Sequence, residues 1–362
     1  MRSLYHGRRG HGGWRLTGIV AMNYISDNQA GAHPAVLAAV ADASAGMSAG
    51  YGEDAMTAAA EAAVRDIFET DCAVFFVTTG TAANALALSA MCPPWGAIYC
   101  HEGAHIQNDE NTAVELFTGG ARMAGMPGES GKPDLAAMRE HMKTATVHGV
   151  HNAKPGAISL SNVSESGTIY TPEEIQGYRQ LADDFELGLH MDGARFANAV
   201  VASGASPAAL TWQAGVDCLS FGLTKNGGIA TEAVVIFDLA LADQFEFRRK
   251  RTGHLWSKQR FLAAQWLALL SDDLWLDNAR HANEMAKELA SAFAAHPDIA
   301  LPWSVDANEL FPVIPTGLRA ALRESGVEFY DWPAQTDMTR FVTHFAIDPA
   351  EVASTAAVIK SL

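Results

Sequence analysis

Between residues 55 and 240 apolar, β-rich runs alternate with segments of helical periodicity, and that alternation leaves little choice of architecture. The helical pattern TAAAEAAVRDIFE (57–69) leads into the strand-like CAVFFVTT (72–79), then helical AANALALSAM (82–91) and the strand AIYC (97–100). Further strands are predicted at AISLSN (157–162), LGLHMD (187–192), VDCLSFG (216–222) and EAVVIFD (232–238). Thr171, Pro172 and the following Glu173 and Glu174 form a capped helix start for TPEEIQGYRQLADDF (171–185). Continuous apolar strands separated by helices imply an α/β fold, with a mainly parallel central sheet and helices on both faces. Ligands of such sheets lie beyond the carboxyl ends of strands, so the residues that end them are where chemistry is sought.

Past residue 255 the pattern changes to two long helical segments, HLWSKQRFLAAQWLALL (254–270) and DLWLDNARHANEMAKELASAFAAH (273–296). Short strands near 309–314, 327–332 and 339–347 follow, with helices over 315–325 and 349–361, a smaller α+β carboxyl-terminal domain. The expected division is a large domain over 26–271, a small domain over 272–362, and a flexible extension over 1–25. Residues 1–21 are basic and glycine-rich, with an apolar stretch too short for a signal peptide, and Met22 reads as an alternative start. The tryptophans of 256–275 recur at near-helical spacing and are expected in core or interface. A net charge of −16 argues against a nucleic-acid or anionic-membrane surface, and no apolar run reaches the roughly 18 residues of a membrane span. Cys72, Cys92, Cys100 and Cys218 form no CxxC pair and read as reduced, buried thiols of a cytoplasmic protein.

Three strand ends carry unusual features. In FFVTTGTAANALAL (75–88) a buried strand runs through Thr79, Gly80 and Thr81 straight into a helix, a turn whose free N–H groups and hydroxyls suit a phosphate. In LHMDGARFANA (189–199) Asp192 ends an apolar strand. It is a helix cap, or a carboxylate that keeps a cofactor's pyridinium nitrogen protonated. In LSFGLTKNGG (219–228) Lys225 follows an apolar strand and a tight turn. Alone it reads as a solvated loop lysine. With a strand-end aspartate 33 residues ahead and a phosphate cup upstream, it reads as the lysine that carries pyridoxal phosphate as a Schiff base.

At this point the sequence resembles the low-specificity L-threonine aldolases, of the aspartate-aminotransferase fold type (fold type I). The resemblance runs from about Ser26 to the carboxyl terminus. Its carriers are SDN (26–28), AGYGED (49–54), FFVTTGTAAN (75–84), CHEGAHIQNDE (100–110), LHMDGARFANA, LSFGLTKNGG, RFLAAQ (260–265), HANEMA (281–286), NELF (308–311) and TRFVTH (339–344). It implies a pyridoxal-phosphate enzyme that reversibly cleaves L-threonine, L-allo-threonine and relatives such as phenylserine to glycine and an aldehyde. It also implies a homotetramer of tight dimers with sites at subunit interfaces. By position, His105 resembles the imidazole stacked on the cofactor ring, and His151, in GVHNAKP, the second active-site histidine near the substrate hydroxyl. Ser26, Arg195 and Arg340 resemble the clamp on the substrate carboxylate, Arg195 also within reach of the cofactor. Tyr51 resembles a residue reaching in from a neighbouring subunit, and Gly80, Thr81 and Thr224 phosphate ligands. The base for the β-hydroxyl proton stays open among His105, His151 and a water they hold.

Three other readings stand beside this one. The first is a related pyridoxal enzyme, a β-eliminating lyase or an aminotransferase. The second rests on HEGAH (101–105), which matches the H-E-x-x-H zinc-peptidase pattern. That pattern needs a helix placing both imidazoles on one face, whereas this segment follows a strand and contains Gly103, so no metal site is expected. A carrier that binds the cofactor without catalysis is a third possibility by class. His148 reads as a solvated or capping residue and His190 as structural.

Overall fold

The computed structural model describes residues 22–332 and 337–362. Seven strands form one sheet: β1 (Ala73–Val77), β2 (Gly96–His101), β3 (Arg122–Met126), β4 (Lys154–Ser161), β5 (Gly188–Gly193), β6 (Cys218–Gly222) and β7 (Glu232–Ile236). Their order is β1-β7-β6-β5-β4-β2-β3. Strands β2 to β6 pair in parallel, while β7 lies antiparallel to both β1 and β6. The connection from β6 to β7 explains the exception: it is too short for the dozen or more residues of a parallel crossover.

Alternate residues of one strand feed two different cores. Val74 and Phe76 of β1 join Leu219, Phe221, Trp266 and Trp275 on one face. Phe75 and Val77 join Leu86, Val234, Ile236 and Phe245 on the other. A strand apolar at every position requires cover on both sides, as the sequence predicts. The second face is covered by the helix Gly80–Met91, buried at every position from Ala82 to Ser89, so a helix apolar all round sits inside the protein. Register brings the carboxyl ends of β1, β4, β5 and β6 and the start of β7 to one edge. There Ser161 pairs with Asp192, Gly193 with Phe221, and Glu232 with both Gly222 and Val77.

Three short strands, β8 (Glu309–Leu310), β9 (Tyr330–Asp331) and β10 (Thr339–Val342), form a second sheet in the order β8-β10-β9. Helices Leu274–Ala294 and Pro349–Ser361 supply much of its core. The helix Leu274–Ala294 belongs to both cores: Trp275 and Ala279 pack with the large sheet, Met285 to Phe293 with the small one. Residues 1–21 of the expected extension lie outside the described residues. Residues 22–25 do not behave as an extension. Tyr24 is completely buried in the small core, its backbone donates to Glu328, and its hydroxyl lies 2.8 Å from Thr355 Oγ1. An aromatic side chain with that much apolar surface to bury pulls its neighbours into the sheet.

Candidate active site

Thr79 caps the helix Gly80–Met91, its hydroxyl accepting the Ala82 N–H at 3.1 Å. The N–H groups of Gly80 and Thr81, in the first turn, have no intrahelical acceptor. A Cβ built on Gly80 would meet nothing within 4 Å, so the space in front of this turn is open. Phosphate oxygens fit such a turn, where N–H groups and the helix dipole act together.

Lys225 sits on a rigid turn. Asn226 Nδ2 donates to the Trp275 carbonyl at 2.7 Å, and Asn278 Nδ2 returns a bond to the Asn226 carbonyl at 2.9 Å. Gly227 has φ +110° and accepts the His33 N–H; a Cβ there would lie 3.1 Å from Asn278 and from His33, so the turn requires glycine. Thr224 Oγ1 accepts the Thr231 N–H at 2.9 Å. Behind it Glu232 is buried, and burial raises its carboxyl to about 7, with the Thr224 hydrogen bond and the Lys225 charge opposing.

Asp192 ends β5 on the same face as the helix Gly80–Met91. Asn84, from that helix, donates through Nδ2 to Asp192 Oδ2 and to Glu110 Oε1, each at 2.8 Å. Glu110 Oε1 also lies 2.9 Å from His105 Nδ1. That bond raises the His105 pKa above its ordinary value against the opposing effect of burial. The backbone N–H of His105 donates to Glu165 Oε1 at 2.9 Å, as does the Ser161 hydroxyl at 2.7 Å; burial pushes the Glu165 carboxyl up to about 7. His190 is fully buried between the Ser159 and Ser220 hydroxyls, and burial lowers it to about 4, a neutral structural residue.

The arginines approach from a third side. Arg195 donates from Nε and Nη2 to Asp27, at 2.7 and 3.0 Å, and its Nη1 lies 3.0 Å from Glu309 Oε2. Two of the five guanidinium N–H bonds go to Asp27 and Glu309 is met as an ion pair without a hydrogen bond, which leaves three for a ligand. Ser26, which precedes Asp27, caps the turn Asp27–Gln29. Arg340, on β10, donates to the Ile25 carbonyl at 3.3 Å and lies over the rings of Tyr330 and Trp332; its Nε is buried without a partner.

The structure therefore gathers Ser26, Gly80, Thr81, His105, Asp192, Arg195, Thr224, Lys225 and Arg340 around one sheet edge and the adjoining small domain. It does not bring His151 there. His151 closes the turn Gly149–His151 just before β4 begins, whereas Asp192 pairs with the residue that ends β4. Being near a strand in sequence places a residue at one end of it, and here it is the wrong end for this chain's own site. Tyr51 is half exposed, with Lys250 over its ring at 4.7 Å. HEGAH is not a helical pair: His101 ends β2 and His105 opens the next helix. Asp27, Asn84, Glu110, Glu165 and Asn308 carry the site's hydrogen bonds and Glu309 an ion pair, and no sequence pattern singles them out. All but Glu165 stand in segments through which the resemblance is read: SDN, TTGTAAN, HIQNDE and NELF.

A profile described as β-eliminating lyase matches residues 23–314. The chain is 43% identical to the low specificity L-threonine aldolase of Pseudomonas aeruginosa, over 85% of this chain and 88% of the relative. It is 39% identical to the protein of the same name from a further Pseudomonas strain, over 94% and 98%. Among solved structures, the threonine aldolase of Leishmania major superposes with a TM-score of 0.87 at 28% identity, covering 94% of this chain and 99% of that one.

Proposed function

The chain belongs to the β-eliminating lyase family, and we propose that it is a pyridoxal-phosphate-dependent carbon–carbon lyase, a low-specificity L-threonine aldolase. It cleaves L-threonine, L-allo-threonine and related β-hydroxy-α-amino acids reversibly to glycine and an aldehyde. The observation that carries this reading is the meeting of Lys225, Asp192 and the open helix start at Gly80 at one sheet edge, beside two arginines.

The cofactor fits the residues present. Gly80, Thr81 and Thr224 would hold its phosphate, Lys225 would supply the amine that tethers it, His105 would lie against its ring, and Asp192 would keep its ring nitrogen protonated. When bound, it supplies the electron sink for the breaking bond. The protein's own work is orientation and proton handling. Ser26, the free N–H bonds of Arg195, and Arg340 fix the substrate carboxylate, and so decide which bond at Cα is presented for cleavage. The β-hydroxyl proton passes to the exposed side of the His105 ring or to a water it holds.

The single chain leaves this edge open. Two cavities among the described residues lie elsewhere, about 600 Å³ beside Arg179 and Asp217 and about 370 Å³ beside Tyr99 and His151. We infer a homotetramer built as a dimer of dimers, in which neighbouring subunits close the site. Exposed Tyr51 and Trp256 on one surface, and exposed Trp95, Val147 and Val150 near His151, support contacts between copies. Tyr51 and His151 then act in the site of a neighbour. Residues 26–271 hold the cofactor and 272–362 close over it, in a cytoplasmic protein whose four cysteines are free and buried. Among the described residues no helix is long and apolar enough to cross a membrane.

The test is product analysis with added cofactor. L-threonine is expected to yield acetaldehyde and glycine in equal amounts. Elimination would give 2-oxobutanoate and ammonia instead, and transamination neither set; either result overturns the reading. A second outcome concerns the phosphate cup. Gly80→Val puts a branched side chain into open space at a position with ordinary helical backbone, so the protein should fold. Cofactor affinity is expected to drop at least about tenfold, ~1.4 kcal/mol, by equilibrium dialysis. Unchanged affinity would remove Gly80 from the cup.

A further inference from the structure

Glu110 is a buried carboxylate that the reaction, as described, does not use. Its side chain is 0% exposed, whereas that of His105, to which it bonds, is 46% exposed. Two consecutive left-handed residues, Asn111 at φ +46° and Thr112 at φ +62°, turn the chain away immediately after it. Thr112 is β-branched, a residue type that rarely takes this conformation, so the bend is held against local preference. The bend lets Glu110 point inward while the chain leaves the site.

We propose that Glu110 is a positioning residue that sets the tautomer and charge of His105, and that Asn84 joins this histidine to Asp192 in one buried hydrogen-bonded unit. The proposal rests on His105 facing the cofactor and deepens that reading. With Glu110 as the proposed acceptor, His105 Nδ1 carries the proton shared at 2.9 Å. Nε2 is then the nitrogen left to accept a proton from substrate or water. The two hydrogens of Asn84 Nδ2 are divided between Glu110 and Asp192, which fixes both acids relative to the ring. A pair of buried carboxylates so linked favours the imidazolium. Charges facing the imidazole are Glu110 from its own loop, Asp192 from β5 and Lys225 from the turn after β6; Lys225 alone opposes protonation. Glu165 holds the His105 backbone from the β4 side.

Glu110→Gln keeps the shape and an acceptor oxygen but removes the charge. The readout is the His105 titration by NMR of histidine-labelled full-length protein, with His105→Asn identifying the signal. In the unaltered protein the midpoint is expected above about 6.5, the ordinary value, and in Glu110→Gln at least about one pH unit lower, a tenfold loss of proton affinity. The acidic limb of kcat/KM is expected to move by the same amount, a displacement that simple packing by Glu110 would not produce. An unaltered midpoint at or below the ordinary value, or one that Glu110→Gln leaves in place, overturns the proposal. If Glu110→Gln does not fold, the unaltered protein still decides: a neutral ring protonated on Nε2 instead of Nδ1 refutes it. Failure to release glycine and aldehyde from threonine would refute the aldolase reading instead, and leaves the titration result standing on its own.

Discussion

Lys225→Ala is expected to abolish the imine absorbance of the cofactor-loaded protein and to slow threonine cleavage at least about a thousandfold, roughly 4 kcal/mol of barrier. The reasoning starts from how the turn is held. Asn226, Gly227 and Asn278 fix it through backbone bonds, and Lys225 itself makes no ion pair among the described residues. Truncation therefore removes the amine and a cation that favours ionised Asp27 and Glu232 without being ion-paired to either, and stability should change by no more than about 1 kcal/mol. Lys225→Arg separates charge from chemistry. It keeps the cation near Glu232, Asp27 and His105 but offers no amine that forms an imine, so it should be as inactive as alanine. Near-normal aldolase activity in either variant would displace Lys225 from the reaction.

The sequence displayed this lysine for a physical reason. Strands buried on both faces are written as unbroken apolar runs, so a charged residue just past such a run stands out, and Asp192 and Lys225 both do. Strand β3 was not legible, because Arg122 to Met126 is an edge strand with no β-branched residue and little buried surface. Helix Arg260–Leu270 begins later than its periodicity suggests, since His254 to Gln259 form a loop in which His254 approaches Thr78 and Gln259 bonds the Phe76 carbonyl. The partners of the site residues were hidden for a different reason. Arg195 and Asp27 are 168 positions apart, and no local pattern announces a contact closed only when the amino-terminal strap crosses the sheet edge. His151 shows the converse limit. Its segment was recognised, but strand direction, which only the assembled sheet fixes, sets it at the far end of β4.

Arg195→Met should cost about 3–5 kcal/mol of stability near neutral pH, the range for removing one partner of a buried ion pair. Arg195 is 14% exposed and its two acids, Asp27 and Glu309, 2% each, so the variant leaves two carboxylates out of water with no cation between them. Asn308, 3.2 Å from Asp27, offsets only part of this. The pH dependence follows from the sign of the shift. Burial alone would raise the Asp27 pKa, but Arg195 holds it below the ordinary carboxylate value. In the unaltered protein Asp27 therefore adds stability above its unfolded pKa of about 3.9, and loses it as pH falls through the depressed folded value. Without Arg195, burial is opposed only by the Lys225 charge and the Asn308 hydrogen bond, and the folded protein shifts toward protonated Asp27. The deficit of the variant should accordingly be largest at pH 7–8 and shrink toward about pH 4–5. Urea midpoints of both proteins at the two ends of that range measure it. A loss below about 1 kcal/mol, or one equal at both pH values, would mean that the cluster is open to water and contributes little. Arg340→Met provides the contrast. Among the described residues Arg340 meets the Ile25 carbonyl and two rings and is ion-paired to no acid. Its loss should raise KM for threonine while leaving the urea midpoint nearly unchanged. One arginine ties the strap, β5 and β8 together and, on the proposed reading, would lend its spare N–H bonds to the substrate; the other carries no such structural load, so its loss should register in substrate binding alone.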